Sequence, residues 1–157
     1  MSRKVQELQV PTLEGIDSRD AGKTYVITEM PATQGEKWAI RALLALTRNG
    51  VDVPVDVLKM GFAGLAPYLT NLIGAIRWED AEPLLDEMLG CIQIKVVVDS
   101  TGTPFVRKLV EGDIEEIETI TFLRKEVVKL HKGFLIAAGR LILASAAAGS
   151  TGSSPSA

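Results

Sequence analysis

The sequence predicts an α+β fold that is predominantly α-helical, with a helical core, a small antiparallel β-sheet or hairpin and a long C-terminal helix. Residues 23–30 (KTYVITEM) are rich in the β-branched and aromatic residues that are typical of strands, and Pro31 should end that strand. Residues 93–99 and 104–110 flank a short glycine-containing loop, which is typical of a hairpin. Residues 120–144 repeat apolar side chains at spacings of three and four, which is typical of a helix.

The length and composition predict one folded domain with short appendages. The chain has 157 residues, of which 46% are hydrophobic and 24% are charged, so a sizeable core is available. We predict a single helical α+β domain over residues 19–148. Residues 1–18 should be either a short edge strand or an arm that a partner orders. Residues 149–157 (GSTGSSPSA) are small and polar, and we predict a disordered tail.

Charge and cysteine content narrow the class of protein. The net charge of -3 and the pI near 5.2 argue against a nucleic-acid-binding surface, which normally needs clustered basic residues. Cys91 is the single cysteine, so there is no disulfide framework and a reducing cytoplasm is the simplest compartment. The first ten residues lack the apolar run of a signal peptide. We therefore expect a cytoplasmic protein with no nucleic-acid partner.

One segment is apolar enough to raise the question of a membrane. Residues 133–149 (GFLIAAGRLILASAAAG) carry a single charge, Arg140, near their middle. A spanning helix needs about 20 apolar residues, and an arginine at its centre is costly. We therefore predict a helix that is buried or that faces a partner protein, and no membrane contact.

The first predicted helix follows the predicted strand directly. Thr33 and Glu36 have the spacing of a capping box, in which each side chain bonds the backbone amide of the other residue. Residues 38–46 are so apolar that the helix should be buried on most sides. Residues 49–50 (Asn-Gly) are a typical left-handed helix stop.

Two further helical regions are predicted before the hairpin. Residues 55–74 should form two short helices, because Pro67 would break or kink a continuous one. Residues 77–92 should form another helix, whose first turn is acidic and therefore suits the helix dipole.

The longest predicted helix follows Asp113, which can cap it. A continuous helix from Ile114 to Ala144 would be roughly 45 Å long, so its second half would protrude or pack on another chain. The alternative is two helices broken at Gly133 or Gly139, both packed on their own domain.

No chemical motif in the chain predicts catalysis. Residues 22–24 (Gly-Lys-Thr) look like a phosphate-binding loop, but the glycine that the motif needs five residues earlier is Asp17, and the segment leads into a strand. His131 is the only histidine and belongs to no metal-binding motif, so we predict a surface or capping residue. We therefore expect no enzyme activity, no catalytic residue, no cofactor and no metal.

The remaining chemically suggestive residues have simpler structural explanations. The acidic residues between 79 and 87 suit helix capping and solvation better than an acid–base or metal site. Trp38 and Trp78 are predicted core anchors, and Cys91 is predicted to be a small apolar core residue.

The heptad-like spacing between residues 120 and 141 predicts a seam for another helix, either a partner protein's or a second copy's. This seam would serve helix-in-groove binding or self-association. The predicted partner-binding residues are Leu123, Val127, Leu130, Phe134, Leu135, Leu141 and Ile142.

Three stretches carry a family resemblance. They are residues 19–46 (RDAGKTYVITEMPATQGEKWAIRALLAL), 78–88 (WEDAEPLLDEM) and 113–134 (DIEEIETITFLRKEVVKLHKGF). Together they resemble the tail assembly chaperones of long-tailed, siphovirus-like bacteriophages and prophages, and the similarity covers most of residues 19–135.

The resemblance implies a non-catalytic protein that acts in the host cytoplasm during virion assembly. Such chaperones bind the tape-measure protein, a very long helical polypeptide, keep it soluble and help to recruit tail-tube subunits around it. They are lost from the finished tail. The alternative is a structural virion component, such as a tail-terminator, neck or head–tail connector protein, which would stay in the virion.

Overall fold

The computed structural model confirms the predicted fold class: the chain is α+β and predominantly helical, with a small antiparallel sheet and a long C-terminal helix. It describes residues 2–11, 18–52, 54, 56, 72–98 and 100–149. Most of the predicted helical pair over residues 55–74, including its break at Pro67, lies outside the described residues, and so do residues 150–157 of the predicted tail.

Four antiparallel strands form the sheet in the order β1-β2-β3-β4. The strands are β1 (Val5–Gln9), β2 (Thr24–Thr28), β3 (Ile92–Val97) and β4 (Pro104–Lys108). β2 lies inside the predicted strand and pairs with β3, and the predicted β3–β4 hairpin is confirmed. β1 pairs with β2 at one edge of the sheet, which confirms the edge-strand alternative for the N-terminal residues.

β2 is buried on both faces. Tyr25 and Ile27 lie on one face and Val26 on the other, because side chains alternate along a strand, and all three are buried. On the Val26 face, Glu7 of β1 and Lys95 of β3 form a salt bridge of 3.0 Å. Since β2 lies between those two strands, this ion pair passes over it and helps to cover Val26.

Five helical segments occur in the described residues. They are α1 (Ala32–Arg48), α2 (Leu72–Ala75), α3 (Trp78–Gly90), α4 (Ile117–Leu130) and α5 (Lys132–Gly149). α1 begins before Thr33, so the predicted capping box is wrong: Thr33 lies inside the first helical turn. α1 ends as predicted, since Gly50 follows it with a positive φ of 79°.

The predicted cap of the longest helix is wrong, because Asp113 is engaged elsewhere. Its carboxylate accepts hydrogen bonds from the Arg107 guanidinium at 2.6 and 2.8 Å and from the Val110 amide at 2.7 Å. Asp113 therefore closes the turn after β4. α4 begins later, at Ile117, with Glu116 at its N-cap position.

The C-terminal helical region is two helices, and the break falls at His131, not at either predicted glycine. His131 has a non-helical backbone conformation, with φ −93° and ψ 12°. Its imidazole Nε2 accepts a hydrogen bond from the Met30 amide at 2.8 Å, and Nδ1 lies 2.7 Å from the Val127 carbonyl oxygen. The ring is thus fixed between β2's end and α4, where the helix stops.

The chain divides into two compact units. The first contains Met1–Pro31 and Leu85–His131, and so holds the sheet, the end of α3 and α4. The second contains Ala32–Leu84 and Lys132–Ala157, and so holds α1, α2, the start of α3 and α5. The predicted boundaries at residues 18 and 149 stay predictions.

In the second unit, α1 packs against α5 at a position that has no room for a side chain. An added Cβ at Gly35 would lie 2.7 Å from two ring carbons of Phe134. Trp38, one turn further along α1, is a core anchor as predicted: it is 1% exposed, and its indole N–H donates to the Leu84 carbonyl at 3.2 Å. The α1–α5 contact therefore depends on glycine at position 35.

Gly35→Ala should lower the free energy of unfolding by about 1–3 kcal/mol, because the new methyl group displaces the Phe134 ring. At an open helical site the same change stabilises by about 1 kcal/mol. Gly133→Ala is the matched control, since nothing lies within 4 Å of a Cβ there. Urea denaturation measures both variants, and a Gly35→Ala protein as stable as the wild type would show that the ring moves freely.

Candidate interaction surfaces

Three of the seven predicted partner-binding residues belong to the chain's own core. Leu123, Val127 and Leu135 are each 0% exposed. They cannot reach a partner in the folded chain, so this part of the prediction is wrong. An apolar stripe at helical spacing has the same appearance whether it faces its own unit or another molecule.

The other four predicted residues are at least partly accessible. Leu130, Phe134 and Ile142 are half-buried, and Leu141 is 49% exposed. Because α4 ends at Leu130 and α5 begins at Lys132, no single continuous helix carries the predicted seam. The accessible part of the seam that stays a candidate is in α5.

The C-terminal half of α5 is apolar and mostly exposed. Arg140 is its only charged residue, and after it Leu141, Ala144 and Ser145 are all exposed. By length and composition alone, α5 is the one helix in the described residues that is able to cross a membrane; 18% of that segment is buried. Core helices of soluble proteins pass the same test. An apolar helix surface of this kind suits contact with another apolar helix.

Exposed apolar side chains also occur on both faces of the β3–β4 hairpin in the first unit, with Val97 and Val106 on one face and Phe105 on the other. Val97, Phe105 and Val106 are 58%, 45% and 44% exposed. β4 is the last strand of the sheet in the described residues, so its outer edge offers unpaired backbone groups. Pro104 and Lys108 stand at its two ends, and both residue types discourage the addition of another strand.

A groove of about 580 Å³ lies between α1 and the first turns of α3, within the second unit. The two helices are antiparallel there: Trp38 donates to the Leu84 carbonyl, and Arg48, further along α1, pairs with the earlier α3 residue Asp80. Ala45 and Leu84 are buried and form an apolar floor.

The rims of this groove carry opposite charges. Arg41 and Arg48 line the α1 side, and Glu79 and Asp80 line the α3 side. Leu44 stands between the two arginines and is 52% exposed, although the apolar run of α1 predicted its burial. Helical spacing predicts this exposure, because positions 41, 44 and 48 share one helix face and two of the three are charged. A count of apolar residues along α1 does not show it.

Trp78 is the other exposed residue that the sequence failed to predict. It was expected in the core but is 59% exposed, at the first position of α3 and directly before Glu79. The acidic residues that follow it mark a solvated helix start, and this is the available sequence signal for its exposure.

An ion-pair network centred on the buried carboxylate of Asp20 lies in the first unit. Asp20 is 0% exposed, and its carboxylate accepts hydrogen bonds from the Glu115 and Glu116 amides at 3.0–3.1 Å and from the Lys23 ammonium at 2.7 Å. Burial would raise the pKa of Asp20, but the hydrogen bonds from Lys23, Thr119 and the two amides outweigh it and hold the pKa below its usual value.

The same network occupies the lysine of the Gly-Lys-Thr segment. Burial would lower the pKa of Lys23, but the Asp20 and Glu115 carboxylates outweigh it and raise the pKa. The Lys23 ammonium lies 3.0 Å from Glu115 and 3.1 Å from the Asp113 carbonyl oxygen, to which Tyr25 also donates its hydroxyl. Lys23 is therefore held by the chain's own acceptors.

The remaining titratable groups have structural surroundings. His131 was predicted to be a surface or capping residue. It is buried, so the surface alternative is wrong, and it occupies the C-cap position of α4, so the capping alternative is confirmed. Cys91 is buried as predicted, and burial raises the pKa of its thiol to about 11, which makes the reactive thiolate rare. No group of three or more His, Cys, Asp or Glu residues in the described ranges is placed to hold a metal ion.

Comparisons with protein-family models, with curated proteins and with solved structures find no match. The surfaces above therefore carry the functional argument together with the resemblance in the sequence.

Asp20→Asn should lower the free energy of unfolding by about 3 kcal/mol, because the new amide group faces backbone N–H donors and Lys23 loses its buried partner. Asp52→Asn is the matched control at an exposed site, with an expected change within about 0.5 kcal/mol. Chemical denaturation at neutral pH compares the two, and equal stabilities would mean that the network does not hold the fold.

Acid should destabilise the chain through His131. Burial lowers the pKa of His131 below the ordinary 6.5, and the hydrogen bond to Val127 opposes this shift only in part. The unfolded chain therefore takes up its proton at a higher pH than the folded chain. The stability that the neutral His131 ring contributes to the free energy of unfolding is therefore fully present above about pH 6.5. As the pH falls below that value it is lost, by at most about 1.4 kcal/mol per pH unit.

Unfolding free energies measured between about pH 7.5 and pH 5.5 test this expectation. His131→Gln should be less stable at neutral pH, because a packed, hydrogen-bonded ring is lost, but its stability should vary less with pH over this range. A variant with the wild-type pH dependence would assign the acid sensitivity to another group.

Proposed function

We propose that this chain is a non-catalytic tail assembly chaperone, which binds the tape-measure protein in the host cytoplasm and helps to recruit tail-tube subunits. Two different arguments support the proposal. The resemblance of residues 19–46, 78–88 and 113–134 supports the phage role and the identity of both partners. The exposed apolar half of α5 supports the binding of an apolar helical polypeptide.

The exposed half of α5 is the structural observation that carries the proposal. A long helical client with apolar stretches aggregates unless those stretches are covered, and an apolar helix surface covers them without any covalent chemistry. Burying an exposed leucine side chain contributes roughly 1.5–3 kcal/mol when it is complete. On the described part of α5, Leu141 is exposed, Ile142 and Leu143 are half-buried, and the exposed side chains that follow them are small. Such a surface supports weak, reversible binding, which a chaperone that later leaves the tail requires.

Co-expression with a candidate tape-measure protein, a very long helical polypeptide from the same genome, tests the chaperone role. The wild-type chain should raise the soluble fraction of the tape-measure protein, and Leu141→Asp should abolish most of that gain, with binding at least roughly tenfold weaker. Ile117→Asp is the matched control, because Ile117 is 78% exposed at the start of α4, outside α5. Circular dichroism should show both variants folded.

The outcomes separate the two roles considered for this chain. A tape-measure protein that stays insoluble with the wild-type chain would contradict the chaperone proposal, and an effect of Ile117→Asp equal to that of Leu141→Asp would contradict binding by α5. Mass spectrometry of purified virions distinguishes a chaperone from a structural virion component. A chaperone should be absent from them, whereas a stoichiometric amount would assign the chain to the virion as a structural component.

A further inference from the structure

One asparagine side chain joins the end of α1 to the start of α3 within the second unit. The amide nitrogen of Asn49 donates to the Ala45 carbonyl at 2.7 Å and to the Asp80 carboxylate at 3.0 Å. Its amide oxygen accepts a hydrogen bond from the Arg77 backbone amide at 3.0 Å. Asp80 lies in the first turn of α3, and Arg77 directly precedes that helix. Both donors of the Asn49 amide nitrogen are therefore used in this contact.

Asn49 also precedes Gly50, and this pair of residues is chemically reactive. The Gly50 backbone nitrogen can attack Asn49 Cγ. The new N–Cγ bond closes a succinimide ring, the Cγ–Nδ2 bond breaks, and the side-chain nitrogen leaves as ammonia with the proton of the Gly50 nitrogen. Water then opens the ring to aspartate or isoaspartate. Glycine favours this attack because it has no side chain to hinder the approach, whereas Asn71, the other asparagine of the chain, precedes a leucine.

The fold restrains both groups that would react. The Gly50 amide donates to the Thr47 carbonyl at 3.1 Å, and the Val51 amide donates to the Leu46 carbonyl at 3.0 Å. This pair of bonds is the one that closes a helix at a left-handed glycine. The attacking nitrogen is thus engaged, and the leaving nitrogen of Asn49 is held by two acceptors. The attack therefore requires the Asn49 side chain to leave α3 and turn toward its own backbone.

We propose that Asn49 is a deamidation site that the contact between α1 and α3 keeps closed, and that its deamidation makes the opening of this contact irreversible. The product carries a carboxylate where the amide was. That carboxylate faces the Asp80 carboxylate and the Ala45 carbonyl, and all three groups accept hydrogen bonds without donating any. Arg48, which pairs with Asp80, supplies one positive charge for two carboxylates. The proposal is independent of the tail-assembly function, because it uses no residue of α5.

Peptide mapping by mass spectrometry measures the reaction in the full-length chain at mildly alkaline pH, with Asn71 as the internal reference. The wild type unfolded in guanidinium chloride should deamidate at Asn49 well before Asn71. The folded wild type should deamidate at Asn49 at least roughly tenfold more slowly than the unfolded chain, because the attack waits for the contact to open. Equal rates in the folded and unfolded chains would overturn the proposal, and so would an Asn49 that survives unfolding as long as Asn71.

A substitution in α3 tests whether the contact itself gives the protection. Asp80→Ala removes one acceptor of the Asn49 amide and should speed deamidation of the folded chain roughly tenfold. Glu79→Ala is the matched control, since Glu79 is an exposed carboxylate in the same helical turn and is not an acceptor of Asn49, and this variant should react like the wild type. Circular dichroism should show both variants folded. Equal rates in the two variants would contradict protection by the Asn49–Asp80 bond.

Hydrogen exchange of the deamidated wild-type chain tests the consequence without any substitution. Ion-exchange chromatography separates this chain from the unmodified one by its added negative charge. The amides of Arg77 and Val51 should exchange at least roughly tenfold faster after deamidation, because the bonds that protect them open with the contact. The amides of β2, in the first unit, should keep their exchange rates and are the control. Unchanged exchange at Arg77 and Val51 would overturn the proposed opening.

Discussion

The buried carboxylate of Asp20 is the constraint on which the first unit depends. It comes from the turn that leads into β2, and it binds the amides of Glu115 and Glu116 just before α4. A carboxylate at the N-terminus of a helix satisfies otherwise unpaired N–H groups and interacts favourably with the helix dipole. Lys23 compensates the negative charge of this carboxylate, which is shielded from water. The one carboxylate therefore connects the turn before β2 to the start of α4. This explains why the Gly-Lys-Thr segment forms a structural turn, with its lysine directed inward to carboxylates of its own chain.

Local signals predicted the elements of the fold, while the contacts that join them were beyond the sequence. The β-branched run of β2, the hairpin loop and Gly50 each act within a few residues, and so each was predictable. Asp113 was predicted to cap a helix because aspartate does so commonly, but a nearby arginine took its carboxylate. The break at His131 depends on Met30, a residue far away in sequence, and no local pattern reports such a bond.

The candidate surfaces were predictable only in part, for a related reason. Periodicity correctly identified the helical residues of α4 and α5, but Leu123 and Val127 share their spacing with Leu141 and differ from it in burial alone. Burial is set by what packs against each face, which a single sequence does not state. The opposite error occurred at Leu44 and Trp78, where apolar character predicted a core position. Both lie beside charged neighbours at helical spacing, so charge was the better guide to their exposure than side-chain hydrophobicity.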